Sequence, residues 1–351
     1  LEVADGNWAQ ARKSFSAGES SMKNYPDELK ALFRISAARA NIEANDTSGA
    51  RYQLAAMPKN NLKRKFIAEA AFLNGRILEI QTRNDEALDY YNEALSYGDR
   101  RVEAETSFYK TMLEFRLSYI KSEVALEQLE SQLIAWRGDN IELKVMRELA
   151  KIYVARNRFR RGLETMRTAV SYYPDEKIGR LIQNDMVALF NRIFLGEKIN
   201  SMSPIQTLSL YYDFRELTPI GRLGDEMIRR LSDTLISVDL LDQAAEILSH
   251  QVEKRLKGAA RAQVATRLAM VEMLRRQPQK ALTTIRRTRQ AVLPKTVVRR
   301  RALLEARALA ELGRYELALS VLANRQGTDI EQTRAAVLWM AKNWQGAGEA
   351  Y

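Results

Sequence analysis

The sequence predicts an all-α protein, a superhelix of about eight to nine antiparallel helix pairs. Three observations favour this fold class. Apolar residues recur at steps of three and four residues along almost the whole chain, which is the spacing of amphipathic helices. Turn and cap residues interrupt that pattern every ten to twenty residues and divide the chain into about 17 to 19 short helices. Small residues return at a nearly constant interval, as expected when one structural unit is repeated.

The interruptions consist of residues that favour turns and helix ends. The clearest are Asn45–Gly49, Pro58–Asn60, Tyr97–Asp99, Gly138–Asn140, Pro174–Asp175, Gly224–Asp225 and Pro294–Lys295. Links this short force neighbouring helices to be antiparallel. Only 7 prolines and 16 glycines occur in 351 residues, so the composition leaves little room for sheets or long loops.

Three segments share one pattern, in which a helix with small residues precedes a helix with small and aromatic residues at regular steps. The segments are Leu143–Glu176, Ala68–Arg101 and Arg299–Gln332, and weaker copies centre on Ala50, Ala125, Ala244 and Ala281. In the clearest copy, Ala150 and Tyr153 belong to the first helix, Gly162 and Met166 to the second, and Pro174 follows. The pattern resembles the tetratricopeptide repeat. That resemblance implies a right-handed superhelix whose first helices line a concave, partner-binding groove.

The spacing of the small residue in each second helix defines the period. It recurs at intervals of 37 to 39 residues as Ala11, Ala50, Ala87, Ala125 and Gly162, and at 37 residues as Ala244, Ala281 and Ala318. The usual tetratricopeptide period is about 34 residues, so helices or loops are slightly longer here. The rhythm is lost between Gly162 and Ala244. We therefore expect an N-terminal sub-solenoid over residues 1–176, an irregular helical junction over 177–224 and a basic C-terminal sub-solenoid over 225–351.

Both ends of the chain are expected to be incomplete repeats. Trp8 and Ala11 fit an isolated second helix, and Trp344 and Ala347 fit the start of another. A solenoid that begins and ends inside a repeat is expected to be part of a longer one. No apolar run approaches the roughly 18 residues that a membrane span needs. Arginine exceeds lysine, alanine and leucine are abundant and cysteine is absent, which favours a bacterial protein of the periplasm or envelope, with the cytoplasm as the alternative.

The sequence predicts no catalytic site, no metal site and no cofactor. The absence of cysteine excludes thiolate ligands and cysteine nucleophiles. The single histidine, His250, lies in a predicted helix with Glu246 one turn before it, and we interpret it as an ordinary surface or half-buried residue. No phosphate-binding loop, dinucleotide-binding glycine motif or nucleophile elbow is present.

Basic charge is concentrated in one region. The net charge is +11, and Gln251–Arg325 alone contains 18 Lys or Arg residues and five acidic residues. The candidate residues there are Arg275, Arg276, Arg286, Arg287, Arg289, Arg299, Arg300 and Arg301. The region is interpreted either as a solvated face or as a docking surface for an anionic partner. Nucleic acid is disfavoured, because Tyr315 is the only aromatic residue available there for base stacking.

A second candidate surface lies on the first helix of the clearest repeat. Lys144, Arg147 and Lys151 are spaced three and four residues apart, which places them on one helix face. From these features we predict a non-catalytic scaffold or adaptor that binds a protein partner on its concave surface. One alternative is a binder of an anionic surface, such as an acidic lipid, a glycan or nucleic acid, through the basic C-terminal repeats. The other is a helical accessory domain of a larger envelope enzyme.

Overall fold

The structure is a computed structural model that describes residues 7–58, 62–196 and 202–350. Nineteen α-helices and no β-strand lie in these ranges, which confirms the predicted all-α class. The chain divides into two compact units, unit 1 over Leu1–Met186 and unit 2 over Val187–Tyr351. The turn predicted at Pro58–Asn60 falls largely outside the described residues, and the three-part division of the sequence stays a prediction.

Unit 1 contains one unpaired helix and four helix pairs. The unpaired helix is α1 (Trp8–Gly18). The pairs are α2 (Asp27–Glu43) with α3 (Thr47–Ala55), α4 (Arg64–Ile80) with α5 (Asn84–Ser96), α6 (Arg100–Arg116) with α7 (Ser122–Ala135), and α8 (Asn140–Ala155) with α9 (Phe159–Tyr172). The next helix, α10 (Lys177–Leu195), contains the boundary between the units.

Unit 2 begins with α11 (Pro204–Asp213) and continues with four more pairs. The pairs are α12 (Arg222–Ser237) with α13 (Leu241–His250), α14 (Gly258–Leu274) with α15 (Pro278–Arg287), α16 (Lys295–Glu311) with α17 (Tyr315–Leu322), and α18 (Thr328–Met340) with α19 (Trp344–Ala350). A π-helical segment, Gln251–Arg255, continues α13. None of the helices in the described ranges is both long and apolar enough to cross a bilayer.

The first helix of all eight pairs ends in the same tight turn. The second residue after each helix has a positive φ of 58° to 72°; these residues are Asn45, Thr82, Ser118, Asn157, Asp239, Arg276, Gly313 and Lys342. The N–H of the following residue then bonds a carbonyl five residues earlier, as from Arg83 to Leu78 at 2.9 Å and from Arg158 to Tyr153 at 2.8 Å. This arrangement satisfies carbonyls that the helix end leaves free. The turn reverses the chain and makes each pair antiparallel.

The small residues of the second helices lie where the helices of a pair are in contact. Ala50, Ala87, Ala125, Ala244, Ala281 and Ala318 are fully buried, and Ala11 in the unpaired helix α1 is 1% exposed. At Gly162, an added Cβ would lie 2.8 Å from a methyl group of Val154 and 3.3 Å from the carbonyl oxygen of Ala150. Larger side chains would therefore separate the helices. The repeat positions predicted from the sequence are confirmed.

Candidate partner-binding surfaces

First helices of neighbouring pairs contact one another along unit 1 and over α14, α16 and α18 of unit 2. In unit 1, α2 contacts α4, α4 contacts α6 and α6 contacts α8. In unit 2, α14 contacts α16 and α16 contacts α18. The second helices α3, α5, α7, α13, α15 and α17 each pack on the first helix of their own pair and on that of the next pair. We call the row of first helices in each unit its first-helix face.

The first-helix face of unit 1 carries a partly buried network of opposite charges. The Arg39 guanidinium on α2 donates to the carboxylates of Glu69 on α4 at 2.9 Å and Glu105 on α6 at 2.7 Å, and it lies 5.7 Å from the ring centre of Phe72. Burial disfavours the guanidinium cation, but the two carboxylates outweigh that effect and raise the pKa of Arg39. The network therefore joins three successive repeats through charged side chains.

Tyr109 on α6 extends this network towards α8. The guanidinium of Arg76 lies 3.8 Å from the centre of its ring, and the ammonium of Lys144 donates to its hydroxyl at 3.0 Å. Burial opposes the Lys144 ammonium, yet Tyr109 and the nearby Glu105 outweigh it and raise the pKa of Lys144. Lys144, a predicted partner-binding residue, thus contributes to internal contacts between repeats.

The other two predicted cations of α8 also have partners within unit 1. Arg147 donates to the carboxylate of Asp185 through two nitrogens, at 3.0 Å and 2.9 Å. Lys151 pairs with Glu148 one turn before it, at 2.6 Å. These pairs neutralise the basic face that the spacing of the three residues predicts.

Several of the predicted arginines of unit 2 are likewise paired. Arg275 bonds Asp242 at 2.7 Å and Glu272 at 2.9 Å. Arg286 and Arg289 both reach Glu305, at 3.1 Å and 3.4 Å, and Arg299 reaches Asp329. Arg276 occupies the positive-φ turn after α14, where it is exposed.

Arg301 lies inside the unit and not on its surface. It is 6% exposed, and its guanidinium donates to the carbonyl oxygens of Ala262 at 2.8 Å and Ile285 at 2.5 Å. It also lies 3.2 Å from the hydroxyl of Thr266 and 3.1 Å from that of Thr288. Arg301 therefore joins α16 to α14 and to the end of α15, and it is unavailable to a partner that docks on the surface.

A groove lies on the first-helix face of unit 2. The groove has a volume of about 1430 Å³ and lies over α12, α14 and α16. Its apolar lining includes Leu223, Ile228, Val264, Met270, Val297, Leu303 and Leu304, and its arginines are Arg222, Arg229, Arg267, Arg300 and Arg307. Arg300 is the one predicted binding residue that lines this groove. We call this cavity the unit 2 groove.

Arg267 lies in the middle of the unit 2 groove and pairs with Asp233. Its Nε is buried and has no hydrogen-bond acceptor among the described residues. Burial, together with the positive charges of Arg229 and Arg300, lowers the pKa of Arg267. The Nε of Arg267 is therefore a buried donor that the described residues leave unsatisfied.

The unit 2 groove also contains an unused acceptor. Gln251, in the π-helical segment, is 2% exposed, and its side-chain oxygen has no donor among the described residues. Buried polar groups without partners are uncommon in folded proteins. A π-helical segment next to a cavity is typical of functional sites. The side-chain oxygen of Gln251 and the Nε of Arg267 are thus two buried polar atoms beside the groove that have no partner among the described residues.

Sequence reasoning missed Arg229, Arg267 and Arg307, because each is isolated from the dense arginine runs. For Arg307 the available signal was the repeat period: Glu226, Gln263 and Arg300 are successively 37 residues apart, and so are Asp233, Met270 and Arg307. His250 lies exposed at the end of α13. Within the described ranges, acidic and histidine side chains nowhere gather in the threes that could hold a metal ion.

No family model matches the sequence, and no curated protein matches it significantly. Among solved structures, the chain is similar to the apo form of the quorum sensor NprR from B. thuringiensis, with 13% identity, coverage of 100% of this chain and 97% of that one, and a TM-score of 0.41. It is also similar to the apo form of RapI, at 15% identity, 91% and 97% coverage and a TM-score of 0.37. A tetratricopeptide repeat protein from Parabacteroides merdae shares 15% identity over 79% of this chain and 99% of its own, with a TM-score of 0.32. The chain's own eight capped helix pairs, with small residues buried at their contacts, make it a tetratricopeptide-like helical repeat.

Proposed function

We propose that this chain is a non-catalytic scaffold that binds a segment of a partner protein in the unit 2 groove. The observation that carries the proposal is the groove itself. It is a concave cavity with a volume of about 1430 Å³, lined by three successive first helices. Because the helices hold this surface in place before binding, a partner segment meets little ordering cost on the side of the scaffold. The apolar lining supplies contact area, and the arginines that line the groove supply polar contacts that orient a bound segment.

The distribution of charge favours a protein segment as the partner rather than an extended anionic surface such as a membrane. Four of the predicted arginines, Arg275, Arg286, Arg289 and Arg299, have acidic partners, which reduces the charge that they present to a flat membrane. A concave site between helices matches a chain segment better than a bilayer. The accessory-domain alternative and the envelope location stay predictions from the sequence.

Site-specific photo-crosslinking tests the proposal. A photoreactive amino acid is placed at Gln263, which is exposed in the groove, and, as the matched control, at Glu316, which is exposed on the second helix α17. Both proteins are irradiated in an extract of the source cells, and adducts are identified by mass spectrometry. We expect one defined protein adduct from position 263 and none from position 316. Equal adduct yields at the two positions, or no protein adduct at position 263, would contradict the proposal.

A further inference from the structure

The two edges of the unit 2 groove differ in charge. Residues 37 apart occupy equivalent positions in successive repeats, so Glu226, Gln263 and Arg300 form one row across the groove. Asp233, Met270 and Arg307 form a second row, with Asp233 on α12 and Arg307 on α16. Both rows change from acidic on α12 to basic on α16.

The acidic edge on α12 is neutralised within the protein. Glu226 accepts hydrogen bonds from Arg229 at 2.5 Å and 2.8 Å and from Arg230 at 2.8 Å, and these bonds lower the pKa of Glu226 to about 2. Asp233 pairs with Arg229 and with Arg267. The carboxylates of Glu226 and Asp233 are therefore already paired within the protein, and Asp225, which also lines this edge, is half-buried.

The basic edge on α16 is not neutralised. Arg300 and Arg307 are exposed, and neither has a hydrogen-bond or ion-pair partner among the described residues. They are seven residues apart on one helix, so their Cα atoms are separated by about 10.5 Å along its axis. Two free guanidinium groups at this separation fit two carboxylates better than one compact anion.

An apolar strip lies beside this basic edge. Val264 and Met270 on α14, with Val297 and Leu303 on α16, line the groove and are half-buried. An occupant that only supplied negative charge would leave this strip in water. Burial of apolar side chains against it contributes roughly 25 cal/mol for each Å² removed from water. The complementary occupant therefore carries both acidic and apolar residues.

We infer that the unit 2 groove binds an internal acidic segment of a partner protein, in which two side-chain carboxylates about 10 Å apart pair with Arg300 and Arg307. Apolar side chains of the segment lie on Met270 and Leu303, which line the groove. Acidic residues three positions apart in an extended segment, or seven apart in a helix, provide this separation. This inference rests on the proposed function and specifies the chemistry of its partner.

Other anionic partners fit the groove less well. No aromatic side chain lines it, so it lacks the stacking contacts with which proteins bind single-stranded nucleic acid. A flat bilayer cannot reach the apolar strip between the helices.

Peptide display tests the inference. A library of random twelve-residue peptides, each fused through its C-terminus to a phage coat protein, is selected on the full chain, so that no peptide presents a terminal carboxylate. The same library is selected on R300Q/R307Q, which removes the two free charges of the basic edge on α16. The matched control is R276Q/R287Q, which removes two exposed arginines that lie outside the groove and have no partner among the described residues.

We expect peptides selected on the wild-type chain and on R276Q/R287Q to be enriched in pairs of Asp or Glu at a fixed spacing, next to apolar residues. R300Q/R307Q should lose that enrichment. A synthetic wild-type-selected peptide with an amidated C-terminus should bind each single variant, R300Q or R307Q, about tenfold more weakly, as measured by fluorescence anisotropy. Circular dichroism of the variants should be unchanged, because both side chains are exposed and unpaired.

The outcomes separate this inference from the proposed function. Selected peptides that crosslink to position 263 but show no acidic enrichment would overturn the acidic partner and leave the scaffold intact. The same would follow if both double variants selected the same acidic peptides. Failure to select any peptide that crosslinks at position 263 would contradict the proposed function itself. Binding of phosphatidylserine vesicles that is abolished in R300Q/R307Q, without peptide binding, would assign the basic edge to a membrane and overturn the inference.

Discussion

Arg301→Gln is expected to destabilise unit 2, although Arg301 lies in the most basic run of the sequence. The guanidinium of Arg301 makes four hydrogen bonds, two to backbone carbonyls and two to threonine hydroxyls, at 2.5 to 3.2 Å. At about 1.5 kcal/mol for each bond from a charged donor, these contribute about 6 kcal/mol. Burial of the cation offsets several kcal/mol of this. The same burial lowers the pKa of Arg301, an effect that Glu305 opposes.

The net loss on substitution is therefore about 2–3 kcal/mol, because glutamine retains at most one of the four bonds. Thermal unfolding followed by circular dichroism should show a melting temperature lower by roughly 4–12 °C. Arg300→Gln is the matched control, since it removes the same charge from the adjacent, exposed residue and should change stability by less than about 0.5 kcal/mol. If the two variants unfold at the same temperature, the hydrogen bonds of Arg301 to α14 and to the end of α15 do not stabilise unit 2.

Substitutions elsewhere test the packing of the repeats. Tyr91→Phe removes a hydroxyl that donates to Glu79 at 2.5 Å and should cost about 1.5–2 kcal/mol in urea unfolding, whereas the same change at exposed Tyr90 should cost less than about 0.5 kcal/mol. Burial and the charge of Glu79 raise the pKa of Tyr91, so the stability that its neutral phenol contributes is complete below the unfolded-state pKa of about 10 and is lost as pH rises through the folded-state pKa. Unfolding free energies measured from pH 8 to 11 should therefore fall more steeply for the wild-type chain than for Tyr91→Phe, and parallel curves would contradict this. Ala281→Leu should cost about 1–3 kcal/mol by overpacking a fully buried helix contact, whereas Ala259→Leu, at an exposed position of α14, should be nearly neutral in thermal unfolding.

The helix pairs were predictable because their contacts require a residue type. A buried alanine such as Ala87 or Ala281 is set by the distance between two helices, and a larger side chain cannot replace it without moving them. The turns within the pairs were harder to predict from residue type. Only Gly313 is a glycine among the eight positive-φ positions, and residues such as Thr82 and Lys342 carry no left-handed preference. Backbone hydrogen bonds at the helix end impose the conformation there.

The candidate site was less predictable, because the number of arginines in a segment does not determine the direction in which each side chain points. Arg299, Arg300 and Arg301 are consecutive, and successive residues on a helix point about 100° apart. Arg299 therefore pairs with Asp329, Arg300 faces the groove and Arg301 is buried. The run contributes one free cation to the groove and not three.

The repeat period identifies which residues face the groove, whereas the run of three arginines does not. Positions 37 residues apart face the same way, so one groove-facing residue identifies its equivalents in the neighbouring repeats. Applied to Gln263, this rule gives Glu226 and Arg300, and applied to Met270 it gives Asp233 and Arg307. Every one of these except Asp233 lines the unit 2 groove, and Asp233 pairs with two arginines that do. Charge in a solenoid is thus best compared position by position across repeats, and in this chain that comparison gives the groove one neutralised edge and one free basic edge.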